Sequence, residues 1–128
     1  MSTSDRIIEA ATVAFGGRGY DATSLDDLAS TLGITKQSIL YHFGSKERLL
    51  DAVVDHAVGE LTEVLWGVVE ASDDGWERVE AMVRGVFRLA MRRPELLGIL
   101  REVTRLGTPA LTRATDALEP LIKAATEW

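Results

Sequence analysis

Apolar residues recur at helical spacing along almost the whole chain. In the first part of the chain they lie at Ile7, Ile8, Ala11, Ala14 and Phe15. This spacing of three and four residues predicts an amphipathic helix, with Ser4 as its N-cap and the cluster Gly16-Gly17-Arg18-Gly19 at its end. No alternating strand pattern occurs, so the sequence predicts an all-α protein.

Two short helices are predicted next, with about three residues between them. Ser24 precedes an apolar series and Asp27 stands three positions later, the arrangement of a capping box. Gly33 is a natural left-handed stop for this second helix. Thr35 can cap the third helix. Two short helices separated by so short a turn are typical of a helix-turn-helix.

A long fourth helix is predicted from Lys46 to Ser72, where Asp73-Asp74-Gly75 interrupts an almost continuous apolar series. A helix this apolar is expected to be covered on two sides. The change from short to long helices near Ser45 predicts a helix-turn-helix domain over residues 1–45. Residues 46–128 would form a second helical domain.

Three further helices complete the predicted architecture. The fifth closes at Arg92-Arg93, the sixth has Pro94 at its first position, and the seventh opens at Thr108-Pro109. Pro120 lies inside the last apolar series, so we expect a kink or a restart there. The fourth helix would thus join the N-terminal domain to a partial antiparallel helical domain.

Composition narrows the class of protein further. With 128 residues, 46% of them apolar, the chain can bury one core, and the lack of cysteine excludes disulfides and thiolate metal sites. No signal-peptide pattern or apolar run of membrane-spanning length is present. We therefore expect a soluble cytoplasmic protein without metal, cofactor or membrane partner.

The net charge of -6 does not favour binding of nucleic acid to the protein surface as a whole, but the charge is distributed unevenly along the chain. Residues 1–50 carry five Lys/Arg against six Asp/Glu, whereas residues 51–128 carry nine against fourteen. Positive potential near the helix-turn-helix would have to come from Lys36, Lys46, Arg48 and the amino ends of helices.

The third helix has the residues that base reading requires. With Ile34, Ile39 and Phe43 directed inward, Lys36 can donate to guanine and Gln37 can pair with adenine, while Leu40 suits a thymine methyl group. The side chains expected to contact phosphate are Thr23, Ser24, Tyr41, His42 and Lys46. A helix-turn-helix also occurs in proteins that bind no nucleic acid, and this alternative stays open.

Catalysis is not expected. His42 and His56 are fourteen residues apart, without metal-ligand spacing, and no phosphate loop or nucleophile motif accompanies them. The polar group Arg101, Glu102 and Arg105 is expected to form a solvated face.

Residues 6–54 resemble the N-terminal DNA-binding domain of the tetracycline-repressor (TetR) family. The similarity rests on Ala10-Ala11, Phe15, Gly19-Tyr20, Thr23, Leu28-Ala29, Gly33-Ile34-Thr35, His42-Phe43, Ser45-Lys46-Glu47 and Leu49. It implies base contacts from Thr35 to Gln37 and phosphate contacts from Thr23, Tyr41, His42 and Lys46. It also implies a repressor, usually dimeric, that binds an operator in double-stranded DNA. Binding of a small molecule of unknown identity would release the repressor from that operator.

The resemblance further suggests that residues 46–128 form a domain for ligand sensing and dimerisation. Its ligand pocket would be lined by Trp66, Met82, Phe87, Met91 and Leu96, although large side chains at this spacing are also ordinary core. The family commonly has Tyr at the position of Leu40, and it often has Gly at the position of Gln37. Family chains are usually dimers, and they continue into two more helices that form the dimer interface. We expect a homodimer here too, formed without those two helices. An alternative is a helical interaction module that pairs with a full-length regulator and binds no DNA.

Overall fold

The computed structural model describes residues 1–73 and 75–126, and in this part of the chain it contains seven helices and no strand. The helices are α1 (Thr3–Arg18), α2 (Leu25–Leu32), α3 (Lys36–Phe43), α4 (Lys46–Ala71), α5 (Trp76–Arg92), α6 (Glu95–Leu106) and α7 (Thr108–Thr126). The all-α prediction is confirmed. Asp74, in the predicted break between the fourth and fifth helices, lies outside the described residues.

The N-cap of α1 is Ser2 rather than Ser4. The Ser2 hydroxyl accepts the Asp5 amide at 3.1 Å, and the Asp5 carboxylate accepts the Ser2 amide at 3.3 Å. The sequence offers hydroxyl groups at positions 2, 3 and 4. Asp5 decides among them, because a capping box needs its acidic residue three positions after the cap.

The predicted caps of the helix-turn-helix are confirmed. Ser24 accepts the Asp27 amide at 3.0 Å while Asp27 accepts the Ser24 amide at 3.2 Å. Gly33 ends α2 with φ of 70°, a left-handed conformation that glycine adopts without strain. Thr35 accepts the Ser38 amide at 3.1 Å and so starts α3.

The proline positions differ from the prediction in detail. Pro94 is the N-cap of α6, and the helix proper begins at Glu95. α7 runs through Pro120 as one helix, so the predicted restart is wrong. Pro120 is exposed. The Asp116 carbonyl that loses a backbone partner there can be hydrated instead.

One hydrophobic core extends across α1–α4, α6 and α7. Its largest fully buried side chains include Phe15 and Ile7 of α1 and Leu49, Val53 and Val54 of α4. α1 and α6 form the most extensive helix pair of the described chain. The core therefore continues across residue 45, and the division into residues 1–45 and 46–128 stays a prediction. No described helix has the length and hydropathy needed to cross a bilayer.

Candidate nucleic-acid interface

α3 stands at the surface with one side buried and one side open. Ile39 is completely buried in the core, and Phe43 is half-buried beside it. On the open side the first turn presents Thr35, Lys36 and Gln37. The structure thus brings three of the four predicted base-contacting residues together at the amino end of α3.

Leu40, the fourth predicted base reader, is less accessible than the others. It is half-buried and packs against the core. Only part of its side chain is therefore available to a thymine methyl group, and its base contact stays a prediction.

Charge favours the amino ends of α3 and α4 over that of α2 as phosphate sites, because the first turn of α4 carries only one acidic residue, Glu47. The first turn of α3 carries Lys36 and no acidic residue. The first turn of α2 carries Asp26 and Asp27, and the Asp27 carboxylate already accepts the Ser24 amide. Like charge would repel a phosphate there. Ser24 is exposed, but its predicted phosphate contact lies at the least favourable of the three helix ends.

Thr23 does not present its side chain to the surface. It is only 1% exposed, and its hydroxyl donates to the Gly19 carbonyl at 2.9 Å. A second, longer contact reaches the Ala14 carbonyl at 3.4 Å. The phosphate contact predicted for the Thr23 hydroxyl needs correction, because this group closes the loop between α1 and α2 instead.

Tyr41 and His42 lie at the carboxyl end of α3. Tyr41 is among the most exposed large side chains of the protein, and its ring meets the His42 ring edge-on with centroids 5.3 Å apart. His42 Nδ1 lies 3.1 Å from the Ser4 hydroxyl of α1. Both side chains are thus accessible to a phosphate, and the contact with Ser4 positions the His42 ring.

Lys46 has a partner within the protein. Its Nζ donates to the Tyr20 carbonyl at 2.6 Å and lies 4.2 Å from the centroid of the Tyr20 ring. The side chain is half-buried. Lys46 therefore ties the start of α4 to the loop before α2, and a phosphate contact would have to use its remaining N–H groups.

The loop before α2 is also held from the C-terminal side by Glu102 of α6. Glu102 is 3% exposed, and its Oε1 accepts the Tyr20 amide. Its Oε2 accepts Arg105 Nε at 2.8 Å, and Arg105 also pairs with Asp21 at 3.1 Å. The prediction that Glu102 belongs to a solvated face was wrong.

The hydrogen bond from Arg105 lowers the pKa of the Glu102 carboxyl below its ordinary value, against the opposing effect of burial, and the Tyr20 amide lowers it further. A sequence signal for this buried role exists. Glu102 stands three residues after Ile99 and directly before Val103, both of which are buried, so it lies on the inward stripe of α6.

Arg93, which follows the last residue of α5, forms ion pairs with three other helices. It pairs with Glu9 of α1 at 3.1 Å, with Glu60 of α4 at 3.3 Å and with Glu95 of α6 at 2.8 Å. Together with Glu102 it connects the C-terminal helices to the helix-turn-helix through polar contacts as well as through the shared core.

A cavity of about 180 Å³ lies between α4, α5, α6 and α7, and apolar side chains line it. Its lining residues are Val54, Ala57, Val58, Leu61, Val86, Leu89, Ala90, Leu96, Leu97, Ile99, Leu100, Val103, Ala114 and Leu118. Within the described chain, no group of three or more His, Asp or Glu side chains is placed to hold a metal ion.

The structure brings three of the five predicted ligand-pocket residues together, but separates them from the other two. Leu96 lines the apolar cavity between α4, α5, α6 and α7. Met82, Phe87 and Met91 line an open groove instead, because Phe87 and Met91 point away from the bundle. Trp66 is half-buried on α4 and lines neither space. The ligand pocket therefore stays a prediction, since helical spacing alone does not tell which face of α5 is covered.

Comparison with known proteins gives a consistent picture. Residues 7–53 match the family model described as bacterial regulatory proteins, tetR family. The HTH-type transcriptional regulator BetI of Rhizobium meliloti is 32% identical over 89 residues, which are 70% of this chain and 44% of that protein. The negative transcriptional regulator IcaR of the biofilm operon in Staphylococcus aureus is 38% identical over 61 residues, or 48% of this chain and 33% of IcaR.

Solved structures extend the likeness over nearly the whole chain. The ketosteroid transcriptional regulator KstR2 of Mycobacterium tuberculosis aligns with a TM-score of 0.80 and 25% identity over 95% of this chain and 63% of its own. A TetR/AcrR regulator of Thermobifida fusca aligns with a TM-score of 0.71 and 30% identity over 94% and 64%. The chain thus spans less than half of the two curated relatives and just under two thirds of these structures.

Proposed function

Because the chain belongs, through residues 7–53, to the tetR family of bacterial regulatory proteins, we propose that it is a sequence-specific DNA-binding repressor that a small-molecule effector releases. The proposed partner is an operator in double-stranded DNA. Such a regulator acts where the bacterial chromosome lies, so we expect this chain to work in the cytoplasm.

The observation that carries the proposal is the open first turn of α3. Lys36 and Gln37 are exposed side by side on a helix whose other face Ile39 anchors in the core. A rigid helix with donors at its amino end suits base edges in the major groove. The amino ends of α3 and α4 supply local positive potential despite the acidic total charge.

The proposed effector is a small, uncharged, apolar molecule. All the side chains that line the cavity between α4, α5, α6 and α7 are aliphatic. A charged ligand would lose its hydration there without gaining a partner. Val54 of α4 belongs both to this cavity and to the core that supports the helix-turn-helix. A ligand in the cavity would therefore contact α4 directly.

α6 offers a short route from the cavity to the DNA-binding unit. Ile99 and Val103 line the cavity, while Glu102 on the same turn accepts the Tyr20 amide in the loop before α2. A shift of α6 upon ligand binding would move that loop. Release from DNA requires that the effector binds the shifted arrangement more tightly than the DNA-bound one.

The alternative of an interaction module without DNA binding has less support. Such a module has no need for an open, polar amino end on α3. The relatives compared above are named as transcriptional regulators, and the similar structures align along almost the entire chain.

Selection of bound sites from a random pool of double-stranded DNA tests the proposal. We expect enrichment of one motif, repeated as an inverted pair if two copies bind together. Bound DNA without any enriched motif would contradict base reading. Failure to retain DNA even at low salt would contradict the proposal as a whole, because phosphate contacts are strongest there.

A further inference from the structure

Glu102 is a buried carboxylate that reaches from α6 into the loop before α2. It is 3% exposed, and its Oε1 accepts the Tyr20 amide. Arg105 Nε donates to its Oε2 at 2.8 Å and compensates its charge. Burial of a carboxylate is costly unless the group is paired and hydrogen-bonded, and both kinds of partner are present here. A charge-assisted bond of this kind holds the Tyr20 N–H in one place.

The loop is shaped to admit this carboxylate. Gly19 has φ of 99°, a backbone conformation that glycine adopts without strain. A Cβ atom added to Gly19 would lie 2.9 Å from Glu102 Oε1, so a larger residue would push the carboxylate away. On the other side of Tyr20, Asp21 pairs with Arg105 at 3.1 Å. α6 therefore contacts the loop both before and after Tyr20.

Tyr20 in turn holds Lys46 at the start of α4. Lys46 Nζ donates to the Tyr20 carbonyl at 2.6 Å and lies 4.2 Å from the centroid of the Tyr20 ring. That ring meets Phe15 of the core edge-on, with centroids 5.2 Å apart. Tyr20 thus connects a carboxylate of α6, on its N–H, to an ammonium of α4, on its carbonyl.

The charges near Lys46 make its exact position important. Burial raises the pKa of the Tyr20 hydroxyl, and so do three nearby carboxylates, those of Glu47, Asp21 and Asp51. Such carboxylates attract a lysine ammonium that is free to move. An ammonium has three N–H groups, so Lys46 keeps two for other acceptors while one binds the Tyr20 carbonyl.

We propose that Glu102 is a positioning residue for DNA binding. Through the Tyr20 peptide it keeps the Lys46 ammonium away from the neighbouring carboxylates, with its two remaining N–H groups available to a DNA phosphate. Glu102 itself contacts no DNA. The inference deepens the proposed function and rests on the DNA binding proposed above. It gives α6 a share in DNA affinity even when no effector is bound.

The salt dependence of binding to duplex DNA of random sequence tests this role, because a phosphate contact does not depend on the bases. Glu102→Ala should reduce the slope of log affinity against log salt by about 1, as removal of the Lys46 contact would. Binding at low salt should weaken by roughly tenfold. Lys46→Ala combined with Glu102→Ala should lose no more than Lys46→Ala alone, since both changes remove the same contact.

Two further variants separate positioning from loss of stability. Glu102→Gln keeps an oxygen that can accept the Tyr20 amide, although it loses the charge that pairs with Arg105. It should therefore restore the wild-type salt slope. Glu95→Ala is the matched control, because Glu95 is also a carboxylate of α6 but its side chain pairs with Arg93 at 2.8 Å. It should leave the salt slope unchanged. Circular dichroism will show that each variant keeps its helices.

Hydrogen exchange of the Tyr20 amide gives a second measurement, without DNA. This amide should exchange roughly tenfold or more faster in Glu102→Ala than in the wild-type protein. Glu102→Gln should restore its protection. Unchanged exchange in Glu102→Ala would show that the carboxylate does not hold the loop.

Three outcomes with DNA would overturn the proposal. An unchanged salt slope in Glu102→Ala would show that Lys46 does not depend on Glu102. Additive losses in the double variant would show that the two residues act separately. An equal fall of the slope in Glu95→Ala would trace the effect to stability instead of position.

Failure of the proposed function gives a different result. If the wild-type chain selects no motif while the salt slopes change as expected, base reading fails and the positioning role of Glu102 stands. If the wild-type chain retains no DNA at low salt, the proposed function is contradicted as a whole, and this role with it.

Discussion

Gly98 of α6 lies directly on the backbone of Gly16 of α1. A Cβ atom added to Gly98 would come within 2.7 Å of the Gly16 Cα and would overlap the Gly16 carbonyl. Arg101, one turn further along α6, donates to that same carbonyl at 3.2 Å. The close approach of two glycines therefore sets how α6 crosses α1.

Substitution at this crossing should be costly, and α1 has a built-in control. A Cβ on Gly16 would clash with the Glu95 backbone, whereas a Cβ on Gly17 would meet nothing within 4 Å. Gly16→Ala should lower the free energy of unfolding by about 1–3 kcal/mol because the packed backbones must separate. Gly17→Ala should raise it by roughly 0.5–1 kcal/mol, as alanine favours helices. Urea unfolding measures both, and equal effects would contradict the close contact.

Stability should fall in acid, partly through Glu102. Its pKa is lower in the folded protein than the ordinary value of 4.5, chiefly because of the Arg105 hydrogen bond. The carboxylate therefore stabilises the fold above about pH 4.5, and this contribution is lost as the pH falls through the folded pKa. Glu102→Gln should lower stability at pH 7 and flatten its decline below about pH 4.5. Urea unfolding at several pH values measures this. A variant with the wild-type pH dependence would show that Glu102 does not contribute.

Base readers and phosphate contacts should respond differently to substitution. Lys36→Ala or Gln37→Ala should cost about 1–3 kcal/mol against the selected motif and relax preference at single base positions. Retention assays against the selected DNA and its single-base variants measure this. A uniform loss on every sequence would show that the changed side chain contacts phosphate rather than bases.

Lys46 has two expected roles that salt dependence separates. If it contacts phosphate, Lys46→Ala should reduce the slope of log affinity against log salt by about 1. If it acts only by holding the Tyr20 carbonyl, the variant should lose stability in urea while its salt slope stays unchanged. Lys123→Ala is the control, since Lys123 is an exposed lysine on α7. It should change neither quantity.

The apolar cavity between α4, α5, α6 and α7 should accept added volume that the core elsewhere rejects. Ala114 lines the cavity, whereas Ala11 is completely buried in the core of α1. Ala114→Leu should change the free energy of unfolding by less than about 1 kcal/mol, while Ala11→Leu should lower it by about 1–3 kcal/mol. As an apolar probe, indole should raise the Tm of the wild-type protein more than that of Ala114→Leu. An equal rise in both would place the bound indole elsewhere.

Much of the helical framework was predictable because its signals are local. The capping pairs Ser24 with Asp27 and Thr35 with Ser38 join residues three positions apart, and the backbone of a helix brings such residues together in any context. The division of α3 into an inward Ile39 and outward Lys36 and Gln37 follows from the same periodicity.

What the periodicity leaves open is which faces are covered. Phe87 and Met91 have the spacing of core residues, yet the neighbouring helices leave them exposed. Thr23 is a polar residue next to the N-cap of α2, a position typical of the surface, yet the turn after α1 buries its side chain.

The sequence by itself therefore determined the number of helices, nearly all their limits and the polar end of α3, since these depend on contacts within about one helical turn. Only the tertiary structure decided that Glu102 meets Tyr20, 82 positions away along the chain, and that Gly98 meets Gly16. Such contacts depend on the crossing of whole helices, which is set by the packing of many side chains together. No short stretch of sequence contains that information.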